Sequence, residues 1–353
     1  MKRWLRALTP LAIGGLLLGL TSCEGDEGPA GPPGTSTCMN CHTDEFELVD
    51  DSVYYLRTIQ TQFALSRHNL SATYVRGTAE SSASCSRCHS TEGYQHYIAT
   101  GESAPLEESS HIGCFACHAP HTFGDFGLRK EGATTLTIGT SYDKGASNTC
   151  AVCHQARAPE PAIDDPGTLI TSFRWGTHYG PQANVLAGQG AWVLPGAVYR
   201  TNSTHNSIAN GCVTCHMADL PDNVVAGGHS FAINYPSGSS TRVNSSGCRE
   251  GCHTNWTGST ADATATTDVN AVQLADTLHL NELRDALFAR GWVSKNGDSV
   301  RTGDAAPLDA NDRGVVWNYK LLHYDLSYGV HNPRYAEDVI NASLAYLAQS
   351  TNR

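Results

Sequence analysis

Long apolar patterns occur only near the two ends of this 353-residue chain. At the start, "ALTPLAIGGLLLGL" is an apolar run too short and too rich in glycine for a membrane span. Near the end, "NAVQLADTLHLNELRDALFARG" sets Leu280, Leu283 and Leu287 on one helical face. Asn270 with Gln273 as a capping pair and Gly291 as a stop bound that predicted helix. "NPRYAEDVINASLAYLAQ" then places Asn332 at the N-cap, Pro333 at the first helical position, and Ala336, Ile340, Leu344 and Leu347 along one apolar stripe. Two C-terminal helices are predicted. Between these ends, from Cys38 to His253, the chain is rich in Gly, Ser, Thr, Asn and Pro with little periodicity. The pattern predicts a mainly α chain with extensive loops and little β structure.

Cysteine and histidine change this picture. The chain carries 13 cysteines and 16 histidines, and they fall into repeated stretches. "CMNCH" starts at 38, "CSRCH" at 85, "CFACH" at 114, "CAVCH" at 150 and "CVTCH" at 212, while "CREGCH" at 248 has one residue more between its thiols. The starts follow no fixed period, so the chain is not a solenoid. In Cys-x-x-Cys-His the two thiols can add to the two vinyl groups of one haem, and the adjacent histidine then sits under the iron. A zinc ribbon or a redox pair also uses Cys-x-x-Cys, but gives the trailing histidine no place. Cys38, Cys41, Cys85, Cys88, Cys114, Cys117, Cys150, Cys153, Cys212, Cys215, Cys248 and Cys252 are the attachment candidates, with His42, His89, His118, His154, His216 and His253 as proximal ligands. If "CREGCH" is a sixth haem site, Cys23 is the one cysteine outside the motifs and no thiol is left over for a disulfide.

Charge and the N-terminus bound the compartment. Lys2, Arg3 and Arg6 precede the first apolar run, which reads as a secretory signal over residues 1–22. "LTSC" at its end resembles the lipobox of bacterial lipoproteins, with Cys23 as the acylated residue, and implies an outer-membrane lipoprotein facing the periplasm or the exterior. Residues 23–36 place Gly25, Gly28, Gly31 and Gly34 at every third position, a collagen-like spacer too short for a triple helix. Taking Lys2, Arg3 and Arg6 from 23 basic residues leaves 20 against 34 acidic, about −14, so nucleic acid is excluded as a partner. The expected organisation is then a six-haem region over 37–260 and a helical part over 261–353 that contributes a distal ligand.

With these motifs the chain resembles the multihaem c-type cytochromes, including the pentahaem nitrite reductases, their octahaem relatives and the lipoprotein cytochromes of metal-respiring bacteria. The resemblance implies a haem-organised fold, six haem c groups, and histidine on both faces of each iron. Stretches resembling the distal-ligand segments of that superfamily nominate His68 in "ALSRHNLSATY", His178 in "WGTHYGPQANVLAG", His205 in "NSTHNSIANG", His229 in "AGGHSF" and His331 in "DLSYGVHNPRYA". The sixth distal ligand is contested between His111 and His121, which flank the third motif; the family pattern Cys-His-x-Pro-His favours His121. His96, His279 and His323 are expected to play no part in ligation. The function implied is electron transfer in anaerobic or extracellular respiration, with redox proteins or extracellular metal acceptors as partners. Two other readings stand beside it: a nitrite or hydroxylamine reductase with one open haem, although no motif ending Cys-Lys occurs, and a self-assembling subunit of an extracellular cytochrome filament.

Overall fold

The computed structural model describes residues 56–70, 83–119, 127–158, 170, 172–221, 223–249, 251–301 and 308–350. The signal segment, Cys23, the spacer, the first motif (Cys38, Cys41, His42) and His121 lie outside the described residues.

The architecture is mainly α with long loops and little β structure. Short helices carry the motif region: α1 (Leu56–Leu65), α2 (Arg67–Leu70), α3 (Ala83–His89), α4 (Thr91–Thr100), α5 (Cys114–Cys117), α6 (Asn148–Ala151), α7 (Gln182–Leu186), α8 (Gly211–His216) and α9 (Ser246–Arg249). Two antiparallel hairpins interrupt them, β1 (Thr134–Thr135) with β2 (Ser141–Tyr142), and β3 (Asn234–Ser237) with β4 (Ser240–Val243). The long helices come last: α10 (Ala261–Ala289), α11 (Ala310–Asp325) and α12 (Pro333–Ser350).

Helix α12 begins where the sequence placed it. The Asn332 side chain accepts from the Tyr335 backbone N–H at 3.3 Å, and Ala336, Ile340 and Leu347 are buried on one stripe with Leu344 packed beside them. Helix α10 stops as expected, with Gly291 at φ 74° and the Trp292 N–H returning to the Leu287 carbonyl at 3.0 Å. Its start differs. Asn270 and Gln273 lie inside the helix, which begins nine residues earlier at Ala261. The added turns are rich in threonine, a weak helix former, and the hydroxyls of Thr264, Thr266 and Thr267 bond back to carbonyls four residues before. Packing decides the outcome: Ala261, Ala265 and Val269, spaced by four, cover Val243 and Trp256.

Between the two expected helices lies a third, α11, capped by Asp309 accepting from the Asp312 N–H at 2.8 Å. Periodicity missed it because residues 313–322 are buried all round, leaving no polar face to mark a stripe. Its polar residues have inside partners. The Asn318 amide pairs with the Trp192 backbone through N–H donation to Oδ1 at 2.7 Å and Nδ2 donation to the carbonyl at 3.0 Å. Lys320 Nζ donates to the Gly297 and Asp298 carbonyls and to the Tyr324 hydroxyl, and burial pushes its pKa down to about 8.

The main hydrophobic core joins these three helices to the segment around Val185, Ala191 and Leu194. Among the described residues, the other apolar clusters are small and sit beside the cysteine motifs.

Candidate metal centres

Each of the five described motifs starts on a helical turn. Within an α-helix, cysteines three apart share a face and the following histidine falls one turn after the first cysteine. The His118 and His154 backbone N–H groups accordingly bond the Cys114 and Cys150 carbonyls at 2.9 Å each. "CREGCH" reaches the same anchor with one residue more: the His253 N–H bonds the Cys248 carbonyl at 3.0 Å. Gly251 absorbs the extra residue at φ 82°, a left-handed conformation that glycine adopts without strain.

The proximal candidates meet the distal ones in pairs. The ring centroids of His89 and His178 are 6.3 Å apart, those of His118 and His229 6.0 Å, and those of His154 and His68 6.1 Å. His216 lies 6.3 Å from His331, and His253 6.3 Å from His205. Each distance is too long for stacked rings. A metal bound between two imidazoles would separate the centroids by about 6.2 Å, from two bonds of about 2 Å and two ring radii of about 1.1 Å. The residues therefore fit one iron per pair, and a porphyrin, if bound there, would supply the remaining four nitrogens. No group of three His, Cys, Asp or Glu side chains suited to a metal ion occurs among the described residues.

All five distal candidates within the described residues thus face a motif histidine. His111 has its carbonyl held by the Thr91 hydroxyl at 2.6 Å and sits by the Glu92 carboxylate. His323 stacks on Tyr319 and bonds Asp298 at 3.1 Å, and His279 lies within α10.

Second contacts orient the rings. His216 Nδ1 is 2.9 Å from the Phe231 carbonyl, His205 Nδ1 2.6 Å from the Val330 carbonyl, and His154 Nδ1 3.2 Å from Gln182 Oε1. His331 Nδ1 instead faces the Asp325 carboxylate at 2.7 Å. His253 stacks on Trp256 with centroids 4.1 Å apart, and the indole N–H is fixed by Asp268. Burial, reinforced by His154, pushes the His68 imidazole down to about 4, and burial also lowers His216, His229 and His253. Neutral imidazoles with free lone pairs are the form that binds a metal. Sequence reasoning missed Asp325, Phe231 and Trp256. Phe231 carries one signal in structure alone, a left-handed φ of 56°, which turns its ring against His68 and His229 while its carbonyl meets His216.

The thiols reveal which motifs are neighbours. The Cys88 side chain lies beside Cys153, Cys150 beside Cys212, and Cys215 beside Cys248. Cys117 approaches the 150 motif through Thr149, whose hydroxyl also lies 2.6 Å from the Tyr94 hydroxyl. The spatial order is 85, 150, 212, 248, with the 114 motif to one side of 150.

Comparison with known proteins identifies the fold. The solved structure of the outer cell wall cytochrome OcwA superposes with a TM-score of 0.50 at 18% identity, over 81% of this chain and 49% of that one. The chain has the fold of a multihaem cytochrome. In sequence, this multihaem-fold chain is 26% identical over 344 aligned residues to the C-type polyheme cytochrome OmcB of Geobacter sulfurreducens, in strains DL-1/KN400 and PCA alike. The alignment covers 81% of this chain and 41% of OmcB, so the chain spans about two-fifths of the length of those relatives. An undecaheme cytochrome from the S-layer of Carboxydothermus ferrireducens superposes with a TM-score of 0.45 at 20% identity, over 86% of this chain and 42% of that one. No protein-family model matches the chain.

Proposed function

We propose that this chain is an electron-transfer protein holding six c-type haems, each between two histidines, in anaerobic or extracellular respiration at a bacterial cell envelope. The observation that carries the reading is the set of five histidine pairs at 6.0–6.3 Å, each joining a motif histidine to one from elsewhere in the chain. When bound, each haem supplies one-electron chemistry through its iron. The chain's own residues attach, ligate and space these groups. Twelve motif cysteines anchor them, including Cys248 and Cys252 of the longer motif, with His42 and His121 as the remaining proximal and distal ligands. A histidine on both faces leaves no coordination position for a substrate, so the protein relays electrons and breaks no bonds.

The contacts among thiols support a route through the motifs at 85, 150, 212 and 248, with that at 114 as a branch. Acylation of Cys23 tethers the protein to the outer membrane, and the spacer holds it clear of the lipid. OcwA is an outer cell wall cytochrome, which supports a location outside the cytoplasm. The acidic surface suits redox partners with basic patches, or extracellular metal ions as acceptors. Intact mass measurement of the mature protein tests this account: six haem additions are expected, and Cys252→Ser should weaken attachment at the sixth alone. Five additions in the unaltered protein would remove the "CREGCH" site.

A further inference from the structure

We infer that Asp325 lowers the redox potential of the centre held by His216 and His331 below that of the neighbouring centre held by His205 and His253. The inference rests on the reading above and concerns regulation of the same centres.

The loop from Asp325 to His331 serves two neighbouring pairs. Its Val330 carbonyl meets His205 Nδ1 at 2.6 Å, and its Asp325 carboxylate meets His331 Nδ1 at 2.7 Å. One loop therefore offers a neutral acceptor to one ligand and a charged acceptor to the next. Asp325 is 3% exposed, and its other oxygen accepts from the Ser327 hydroxyl. Ser327 Oγ in turn accepts from the His331 backbone N–H at 3.2 Å, closing the cluster.

This carboxylate occupies an unfavourable place. It terminates helix α11, where the macrodipole is negative, and lies near Asp276, which burial and then Asp325 push up to about 6. His331 is the one ion-pair partner found for it among the described residues. A buried charge requires compensation. Ligation supplies it: a ferric porphyrin centre with two neutral histidines carries one net positive charge, and the ferrous centre carries none. Asp325 therefore favours the ferric state. It also draws the Nδ1 proton, which makes His331 a stronger donor to the metal. Both effects act in the same direction and lower the potential. On reduction one electron arrives and the Nδ1 proton stays on His331.

The position of this pair gives the tuning a consequence. Cys212 touches Cys150 and Cys215 touches Cys248, so the centre lies inside the route rather than at its end. Electrons arriving from the centre of His205 and His253, whose ligand meets a neutral carbonyl, cross an uphill step there.

The test is a potentiometric titration of the full haem-loaded protein, followed by electron paramagnetic resonance so that components resolve. Asp325→Asn keeps the shape and an acceptor oxygen but removes the charge. One component alone should move to higher potential, with its largest g-value shifted and the other components in place. Ser327→Ala should move the same component lower, because the carboxylate loses its second donor and leans harder on His331. An unchanged titration in both variants, or a uniform shift of all components, would overturn the inference. Failure of the underlying reading would show separately, as a high-spin iron in the unaltered protein.

Discussion

The three C-terminal helices and the motif-bearing region are built on different terms. The first share a core of 20 buried apolar residues with the 170–194 segment, Leu283, Leu287, Val315 and Ile340 among them. The three other clusters hold five, four and three, although the region they serve is longer. In its place stand histidine pairs, thiols in contact and polar anchors such as Gln155, Asn148 and Glu92. Side chains bury one another in the first region. In the second, roughly 37 residues per motif (224 residues over 37–260 for six motifs) are enough only if porphyrin faces supply the missing apolar surface. The difference teaches that stability in the motif region is inseparable from cofactor attachment, whereas the C-terminal core has its own source.

The largest effect should come from making the protein without haem attachment. Residues 83–158 and 203–260 should then become sensitive to limited proteolysis, while a substantial helical circular dichroism signal persists from α10 to α12. Equal resistance of the haem-free and loaded proteins would erase the contrast between regions. Next in size is Leu283→Ala, at a fully buried position, which should cost about 3 kcal/mol in thermal or denaturant unfolding. Haem number and visible spectrum should not change. His205→Ala should give the mirror result: one iron becomes high-spin, read by electron paramagnetic resonance, with a smaller loss of melting temperature. If Leu283→Ala changed the spectrum or His205→Ala left it intact, the division of labour would be wrong. The smallest effect is at Gly251, where φ is 82°; Gly251→Ala should cost about 1 kcal/mol locally and lower occupancy at the sixth site, seen as a minor species one haem lighter.

Legibility in the sequence divides along the same line. The motifs announced themselves because covalent chemistry demands fixed spacing, and distal candidates stood out where a family segment surrounded them. His178, His205, His229 and His331 are far from their partners in sequence, so the pairing itself was invisible until the chain was folded. Helix α12 was readable because it has a capped start and one polar face; α11 was hidden because it is buried on every side. The early start of α10 escaped because threonines that bond their own backbone do not look helical. Asp325 was hidden for a related reason: it ends the overlooked helix, and its role depends on a loop closing six residues later onto His331. The order of the motifs in space departs from their order in the chain, and only contacts between thiols reveal it.

The central claim is that every iron is held between two histidines, leaving none open. Exposing the reduced, fully loaded protein to carbon monoxide and recording the Soret band tests it directly. The account predicts no carbonyl spectrum from the native protein and one equivalent from His205→Ala. A stoichiometric carbonyl complex in the native protein would contradict it, and would mark one centre as a site for substrate.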